Sequence, residues 1–258
     1  MATSLLAHCQ SLKRTGRKGF AVLIDPDKPP SGPPAQWLPA LEAADVDWLL
    51  VGGSLTTDHH IQALVPAMQA VTSLPVVLFP GNAAQVVPAA DGILLLSLIS
   101  GRNPDLLIGR HVEAAPLLRA SDLEVLPTGY LLIESGNFTT AHYISNTLPI
   151  PRDKPQIAMC TALAGELLGL RLVYLDGGSG AQWPVPPEMI AEVAQALRIP
   201  LIVGGGIRSG EQAERAWRAG ADLLVVGSAF EQDPAGDLLG ELATAKAACN
   251  RLVSSSST

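Results

Sequence analysis

The sequence is poor in several residue types, and each shortage argues against a class of protein. Aromatic residues make up 4% and charged residues 16% of the 258 residues, whereas hydrophobic residues make up 48%. The core must therefore be built from Leu, Val, Ile and Ala, as in strands that are buried on both faces. No apolar run approaches the roughly 20 residues that cross a bilayer. The first residues also lack the apolar stretch of a signal peptide, so we expect neither a membrane-spanning nor a secreted protein.

Cysteine and positive charge are also scarce. Cys9, Cys160 and Cys249 lie far apart and form no CxxC pair, which favours a cytoplasmic protein with reduced thiols over a disulfide framework. Cys160 falls in a predicted helix, where we expect it to pack rather than to act as a nucleophile. The net charge of −7 argues against a nucleic-acid partner. It leaves room for a phosphate site, because backbone amides and a few cations are sufficient to bind phosphate.

Short apolar runs alternate with helical patterns along the whole chain. The predicted strands are Gly19–Asp25, Trp48–Gly53, Pro75–Phe79, Gly92–Ser97, Gly129–Glu134, Leu172–Asp176, Pro200–Gly204 and Asp222–Gly227. Strands that alternate with helices predict parallel βαβ units. Eight such units predict an α/β protein with one (β/α)8 TIM-barrel domain over residues 1–258.

Three segments depart from the βα alternation. Residues 1–18 read as an N-terminal extension, and residues 253–258 read as a frayed tail without a core-forming pattern. Residues 135–155 are long for a βα loop. They are either a surface excursion or a lid over the strand ends, and we favour the lid because long loops on this face of a barrel commonly carry function.

The clearest functional signal follows the last two predicted strands. Gly205 and Gly206 come after the seventh strand, and Gly227 and Ser228 come after the eighth. Barrels often bind phosphate at this place, where glycines let the main chain approach a ligand and a helix directs its free N–H groups outward. The alternative is that the glycines only turn the chain tightly. We favour the phosphate site because both strand ends carry the signal.

A second candidate site follows the sixth strand. Tyr174 and Asp176 flank Leu175, so both polar side chains point to the same side of the strand. They could bind hydroxyl groups or move a proton, or they could be an ordinary hydrogen-bonded pair at a strand end. The glycine-rich loop that follows on the same face contains Gly177, Gly178, Ser179 and Gly180.

The first two strands end in groups that suit a magnesium ion. Mg²⁺ usually takes one or two protein oxygens and fills its other positions with water and substrate phosphates. Asp25 and the hydroxyl of Ser54 would form such a sparse site, although an Asp at a strand end often only caps a turn. Three cations could neutralise phosphate, with solvated surface positions as the alternative for each: Lys28, Arg102 and Arg208.

Several of these motifs, in this order, resemble those of the geranylgeranylglyceryl phosphate synthase family. The resemblance runs from about Gly19 to Phe230. The motifs that carry it are LIDPDK, VGGS, LFPGN, YISNTLPIP, YLDGGSGA, VGGGIRSG and VVGSAFE. The resemblance implies a prenyltransferase that joins a prenyl diphosphate to sn-glycerol 1-phosphate, forms an ether and releases pyrophosphate.

The resemblance also implies roles for the candidate residues. Asp25 and Ser54 would hold Mg²⁺ against the diphosphate. Residues 174–180 would surround the glycerol phosphate, with Asp176 and Tyr174 as the catalytic groups. The residues that would grip the phosphate are Gly205, Gly206, Gly227 and Ser228. The chain departs from the family at Asp176, where the family has Glu, and the shorter acid predicts reduced activity or an altered acceptor.

The prenyl chain is expected in an apolar groove formed by Leu94–Ile99 and by parts of the segment 135–155. The resemblance further implies a homo-oligomer, and a membrane-derived substrate implies transient contact with a membrane surface. Two other functions stay open. One is another phosphosugar-handling barrel enzyme, an isomerase or a lyase, and the other is a non-catalytic barrel that binds a phosphometabolite.

Overall fold

The alternating runs close into a barrel of eight parallel strands. The computed structural model describes residues 4–57, 60–227, 230 and 237–255. The strands are β1 Gly19–Ile24, β2 Trp48–Gly53, β3 Val76–Pro80, β4 Gly92–Leu98, β5 Glu124–Leu132, β6 Leu172–Asp176, β7 Leu201–Gly204 and β8 Leu223–Val226. Each strand pairs in parallel with the next, and β8 closes on β1 with Leu223 opposite Gly19. The predicted TIM barrel is therefore confirmed.

Helices surround the barrel. They are α1 Leu5–Thr15, α2 Pro34–Ala43, α3 Ile61–Gln69, α4 Arg110–Arg119, α5 Thr140–Ser145, α6 Pro155–Leu167, α7 Pro187–Ala196, α8 Gly210–Ala219 and α9 Leu238–Ser255. The start of α8 shows why the sequence gives a helix there. The hydroxyl of Ser209 accepts a hydrogen bond from Gln212 N (3.3 Å) and so caps the first turn. Glu211 in that turn suits the positive end of the helix dipole.

The bounds of one strand differ from the prediction. The predicted strands agree with the observed ones to within one residue, except for the fifth, which spans Glu124–Leu132 instead of Gly129–Glu134. Pro127 lies in the part that was missed, and proline is unusual inside a central strand because it has no N–H to donate. Its carbonyl nevertheless accepts a hydrogen bond from Arg171 N (2.8 Å), so the pairing with β6 begins beside it.

The N-terminal segment closes the bottom of the barrel. Leu5, Cys9 and Leu12 of α1 are buried against side chains of the barrel interior, including Leu94 and Leu223. The carboxylate of Glu124, at the start of β5, accepts hydrogen bonds from Leu5 N (2.7 Å) and Leu6 N (2.9 Å). The segment predicted as an extension is thus packed into the domain core.

Two other expectations can be compared with the structure. The last helix extends to Ser255, three residues into the segment predicted to be frayed, and residues 256–258 lie outside the described residues. Cys160 lies on α6 as predicted, but its side chain is exposed, so the expectation that it packs is wrong.

A buried lysine of α9 contacts two aspartates in the loop directly before β2. The ammonium group of Lys246 contacts Asp47 Oδ2 (2.8 Å), Asp45 Oδ2 (2.8 Å) and the Asp45 carbonyl oxygen (2.6 Å). Asp47 also accepts a hydrogen bond from Phe20 N (2.9 Å). Burial alone would raise the pKa of Asp47, but hydrogen bonds from His8 and Lys246 hold that pKa below its ordinary value. Asp47 is therefore ionised in the folded protein and balances the buried lysine.

We expect Asp47→Asn to lower the free energy of unfolding by about 3 kcal/mol, because removing one partner leaves a buried charge without compensation. Guanidinium unfolding followed by tryptophan fluorescence measures the loss. The matched control is Asp45→Asn, because the Asp45 side chain is 83% exposed and asparagine tolerates its positive φ of 58°. That control should cost less than about 1 kcal/mol. Equal losses in the two variants would contradict this assignment.

Candidate active site

A polar cavity lies at the C-terminal ends of the strands. It brings together residues from the loops after β1, β2, β6, β7 and β8. The predicted site residues that line it are Asp25, Ser54, Tyr174, Asp176, Gly178, Ser179, Gly180, Gly205, Gly206 and Gly227. Residues as far apart in sequence as Asp25 and Gly227, 202 positions, thus meet at one face, because parallel strands of a barrel all end on the same side.

Asp176 is the buried acid of the polar cavity. Its carboxylate accepts hydrogen bonds from the hydroxyl of Tyr130 (2.5 Å, to Oδ2) and from Gly178 N (2.7 Å, to Oδ1). Burial raises the pKa of Asp176 above the ordinary value, and these two hydrogen bonds oppose the rise. A buried carboxyl group with a raised pKa is suited to take a proton from a bound hydroxyl group.

Three aromatic rings form a cluster beside Asp176. Tyr130 and Tyr174 are direct neighbours in the β5–β6 register, and their rings pack edge to face with centroids 5.5 Å apart. Phe79 at the end of β3 contacts both rings, at 5.9 Å and 5.6 Å. Burial and the nearby Asp176 raise the pKa of both tyrosines well above the ordinary value. Both phenols therefore stay protonated and can donate hydrogen bonds.

The glycine loop after β7 can be built only from glycine. Gly205 and Gly206 have φ values of 83° and 75°, a region that other residues rarely adopt. A Cβ atom on Gly205 would lie 2.9 Å from Asp176 Oδ1, and one on Gly206 would lie 2.7 Å from the carbonyl carbon of Trp183. The main chain is thus left open for close approach by a ligand such as phosphate.

The N-terminus of α8 offers fewer free N–H groups to a phosphate than the sequence suggested. The N–H of Gly210 donates to Glu241 Oε2 (2.8 Å), and the N–H of Gln212 donates to Ser209. These two N–H groups already have acceptors, so the expectation that they are free for a phosphate is wrong. The cations that do line the cavity are Lys28 and Arg208, and the Arg208 guanidinium also donates to the Ala181 carbonyl (2.7 Å).

Several predicted residues lie away from the polar cavity or cannot be placed. Leu175 does not line it, because its buried side chain packs in the hydrophobic layer between strands and helices. Gly177 lies behind the lining, where its N–H donates to the Gly204 carbonyl (3.0 Å). Arg102 donates instead to the Gly101 carbonyl (2.7 Å). Ser228 lies outside the described residues.

Asp25 and Ser54 both line the polar cavity on its β1–β2 side. Asp25 Oδ1 accepts a hydrogen bond from Asp27 N (3.0 Å), which orients the carboxylate. Among the described residues no group of three or more His, Cys, Asp or Glu side chains could hold a metal ion by itself. Mg²⁺ often binds through one or two carboxylates and the phosphates of its substrate, so this sparse donor set fits an ion that arrives with a diphosphate.

An apolar cleft adjoins the polar cavity. Leu95, Leu96 and Leu98 of β4 form part of its wall, together with Ala141 and Ile144 of α5. The cleft and the cavity share five lining residues, which form the junction between them: Gly53, Ser54, Phe79, Tyr130 and Ala141. Of the segment predicted to form the prenyl groove, Leu95, Leu96 and Leu98 line the cleft, whereas Leu94, Ser97 and Ile99 do not.

The segment 135–155 contains α5 and lies over the face of the barrel formed by the C-terminal ends of the strands, which is called the working face below. Its two ends are joined, because Ile150 N donates to the Leu132 carbonyl (2.8 Å) and Glu134 N donates to the Ile150 carbonyl (2.9 Å). Asn137 Nδ2 donates to the Gly180 carbonyl (3.1 Å), so the segment also contacts the loop after β6. The segment has the position expected of a lid, and its motion remains a prediction.

Sequence reasoning missed two residues that shape the site, one in its lining and one behind it. Tyr130 was placed at the start of a strand, because the predicted β5 began at Gly129; the observed start at Glu124 moves it towards the C-terminal end. The second is Gln85, which is buried and joins two loops. Its side chain donates to the Gly53 carbonyl (2.9 Å) and accepts from Gly81 N (3.2 Å). The available signal was a glutamine five residues after the end of β3.

Comparison with known proteins places this chain in a family. The sequence model of the PcrB family matches residues 13–246. A geranylgeranylglyceryl phosphate synthase from Spirosoma linguale is 56% identical over 232 residues, which cover 90% of this chain and 92% of the relative. One of the same name from Pyrococcus furiosus is 43% identical over 211 residues, covering 81% of this chain and 83% of that relative.

A solved structure agrees with the sequence matches. The (S)-3-O-geranylgeranylglyceryl phosphate synthase of Thermoplasma acidophilum, determined in complex with sn-glycerol 1-phosphate, superposes with a TM-score of 0.88. It is 33% identical in sequence, and the alignment covers 95% of this chain and 98% of that one.

Proposed function

Because the chain belongs to the PcrB family, we propose that it is a prenyltransferase that joins a prenyl diphosphate to sn-glycerol 1-phosphate. The observation that carries the proposal is the junction of two unlike subsites. A polar cavity with a buried acid and a phosphate-type glycine loop shares a wall with an apolar cleft. An acceptor phosphate and a prenyl tail are the two ligands that such a pair of subsites suits. An isomerase or a lyase would have no use for the cleft.

In the proposed reaction the acceptor binds in the polar cavity. The backbone of Gly205, Gly206 and Gly227 surrounds its phosphate, and Lys28 and Arg208 neutralise the charge. Asp176 accepts a hydrogen bond from the attacking glycerol hydroxyl and takes its proton as the ether bond forms. The hydroxyl oxygen bonds to the first carbon of the prenyl group, and the bond between that carbon and the diphosphate oxygen breaks.

The donor lies across the junction. Its tail enters the apolar cleft, and its diphosphate faces Asp25 and Ser54. These two residues would hold a Mg²⁺ ion, which supplies positive charge to the departing pyrophosphate. Tyr130 and Phe79 separate tail from diphosphate and keep water away from the reacting carbon. Holding the hydroxyl beside that carbon accounts for much of the expected rate enhancement.

The activity is tested by incubating the protein with Mg²⁺, geranylgeranyl diphosphate and either sn-glycerol 1-phosphate or its 3-phosphate isomer. We expect release of pyrophosphate and an ether product, identified by mass spectrometry, that require the 1-phosphate. Equal turnover of both isomers would contradict the acceptor assignment. Binding of glycerol phosphate without product from any prenyl donor would favour the non-catalytic phosphometabolite-binding barrel.

The phosphate position gives a separate prediction. Gly206→Ala adds a methyl group against the backbone of Trp183 and Pro184 at a positive φ, so the loop must shift. We expect the affinity for sn-glycerol 1-phosphate, measured by calorimetry, to fall by about tenfold or more. Gly240→Ala is the matched control, because a Cβ there meets nothing within 4 Å. Unchanged affinity in Gly206→Ala would place the phosphate elsewhere.

We further propose that the working face touches a membrane surface transiently to collect the donor. Exposed apolar side chains of the segment 135–155 support this: Phe138, Tyr143 and Leu148 are 73%, 75% and 83% exposed. No helix of the described residues is long and apolar enough to cross a membrane. Sedimentation with phosphatidylglycerol vesicles should recover less of a Tyr143→Ser/Leu148→Ser variant than of the wild type. Equal recovery would contradict this contact.

Two properties complete the proposal. We propose a cytoplasmic location, which is supported by three free cysteine thiols, two of them buried. We also propose a homo-oligomer, supported by the large apolar residues exposed on the outer helices, which include Val112, Leu167 and Leu168.

A further inference from the structure

A buried glutamine side chain joins the ends of two neighbouring strands. Gln85 ends the short 3₁₀ helix Ala83–Gln85 after β3, and it is only 1% exposed. Its Nε2 donates to the carbonyl of Gly53 at the end of β2 (2.9 Å), while its Oε1 accepts from Gly53 N (3.4 Å) and Gly81 N (3.2 Å). One amide thus pairs with both the N–H and the carbonyl of Gly53, as a neighbouring strand would. Burial of so polar a side chain is favourable only with such partners.

The main chains at the ends of β2 and β3 lie as close together as glycine permits. A Cβ atom on Gly81 would lie 2.6 Å from the carbonyl oxygen of Gly53 and 2.7 Å from that of Ser54. A Cβ atom on Gly52 would overlap the carbonyl oxygen of Phe79. Since the two backbones touch directly, a shift of one strand end displaces the other. The amide that joins them therefore also fixes the position of the backbone at Ser54.

The 3₁₀ helix that carries Gln85 is held from its outer side. The side chain of Asn82 caps it, because Asn82 Oδ1 accepts a hydrogen bond from Ala84 N (2.9 Å). Gln62 of α3 donates from Nε2 to the carbonyls of Ala84 (3.5 Å) and Val86 (3.4 Å). The backbone of Gln85 therefore has little freedom, and its side chain reaches the end of β2 from a fixed position.

The loop after β2 is attached at its other end to the loop after β1. The N–H and the hydroxyl of Thr57 both donate to Asp27 Oδ2, at 2.6 Å and 2.9 Å. Asp27 N in turn donates to Asp25 Oδ1 (3.0 Å). Ser54 lies between this attachment and the one made by Gln85. The position of the Ser54 hydroxyl relative to the Asp25 carboxylate therefore depends on both attachments.

We propose that Gln85 is a positioning residue for the prenyl diphosphate: its amide holds Ser54 where the Ser54 hydroxyl and Asp25 can bind a divalent cation together. The inference rests on the proposed function and adds a residue that lines neither the polar cavity nor the apolar cleft. Mg²⁺ demands nearly ideal octahedral geometry with ligands at about 2.0–2.1 Å, so a small shift of one ligand weakens its binding. Loss of the Gln85 amide would leave buried backbone groups without partners, and the loop that carries Ser54 would move to find others.

The first measurement is a binding experiment that needs no turnover. Calorimetry gives the dissociation constant of a prenyl thiodiphosphate without and with Mg²⁺, and the quotient of the two is called the magnesium effect below. Gln85→Met keeps the length of the side chain and removes both hydrogen-bonding atoms. It should lower the magnesium effect by about tenfold or more, the usual cost of losing a residue that orients a metal ligand. The metal-free dissociation constant should stay within about twofold, because the tail still enters the apolar cleft.

The matched control is Gln62→Met, the same substitution in the glutamine that bonds to the outer side of the same turn. Gln62 donates to the Ala84 and Val86 carbonyls, so this variant should keep the wild-type magnesium effect. Circular dichroism and the melting temperature check the fold of both variants. If Gln85→Met does not fold, Gln85→Asn keeps a buried amide that ends one methylene short of its partners, and it should lower the magnesium effect as well.

A double variant shows whether Gln85 acts through Ser54. Ser54→Ala should lower the magnesium effect, and adding Gln85→Met should lower it by less than about a further twofold, because both changes remove the same function. An unchanged magnesium effect in Gln85→Met, an equal loss in Gln62→Met, or independent losses in the double variant would each overturn the proposal. If Ser54→Ala keeps the wild-type effect, the proposed metal site fails together with this inference. If only Gln85→Met keeps it, the inference fails and the proposed function stands.

Discussion

We expect Asp176→Asn to lower kcat by about 100-fold or more, the usual contribution of a positioned general base. Asparagine keeps the size of the side chain and can still accept a hydrogen bond from Gly178 N, which donates to Asp176 at 2.7 Å. It cannot take a proton from the acceptor hydroxyl. Pyrophosphate release at saturating substrates measures the loss, and calorimetry with glycerol phosphate checks the site. Unchanged turnover and unchanged affinity would show that Asp176 is neither the base nor the group that orients the acceptor.

The matched control is Tyr130→Phe, which keeps the acid and removes its hydrogen-bond donor. Burial raises the pKa of Asp176, and the Tyr130 hydroxyl opposes that rise, so the variant should have a still higher Asp176 pKa. A base must be deprotonated to act. The acid limb of the kcat/KM profile should therefore move to higher pH in Tyr130→Phe, with recovery of activity at alkaline pH. A uniform loss at every pH would contradict the coupling between the two residues.

The second prediction with a large effect concerns the binding of the prenyl diphosphate. We expect Asp25→Asn to lower kcat/KM for the prenyl diphosphate by about 1000-fold, because one lost carboxylate removes the charged protein ligand expected for Mg²⁺. Steady-state pyrophosphate release at varied Mg²⁺ measures it, and chelation of Mg²⁺ should abolish wild-type turnover. Affinity for glycerol phosphate should be retained, because Asp25 is not among the residues proposed to bind it. Full activity of Asp25→Asn at the wild-type Mg²⁺ requirement would contradict the assignment.

The fold was predictable because its signal is carried by many residues at once. Eight aliphatic runs with helical patterns between them define the barrel even when the bounds of one strand are wrong, as at β5. That error arose from Pro127, whose missing N–H makes a central strand improbable from local sequence. The parallel pairing of neighbouring strands overrides this local preference.

The site was predictable where it depended on strand ends and glycines. Asp25, Ser54, Tyr174 and Asp176 line one cavity, because a parallel barrel gathers the C-terminal ends of its strands on one face. Contacts between distant segments were not predictable. The hydrogen bond from Tyr130 to Asp176 spans 46 residues and depends on the exact register of β5 and β6.

The N-terminus of α8 is a second place where a contact could not be predicted from the sequence. Its N–H groups looked free in the sequence, but Glu241, 31 residues later, accepts from Gly210 N. Long-range partners of this kind come from the packing of α9 on α8, and the sequence near Gly210 gives no signal of them.

The resemblance to the family predicts Glu at position 176, where this chain has Asp. In this chain the shorter side chain is held at both oxygens, by Tyr130 and by Gly178 N. These two hydrogen bonds fix the orientation of the carboxylate. Reduced activity or an altered acceptor stays a prediction, and the comparison of the 1-phosphate with the 3-phosphate isomer will measure the second.

The most direct test of the central claim, that one junction joins an acceptor subsite to a prenyl cleft, is a crystal structure with two ligands. These are sn-glycerol 1-phosphate and a prenyl thiodiphosphate that reacts too slowly to turn over. We predict the glycerol hydroxyl beside Asp176, about 3.5 Å from the first prenyl carbon, and the tail in the cleft lined by Leu95 and Leu96. A tail that lies outside the cleft, or glycerol phosphate bound away from Asp176, would contradict the account.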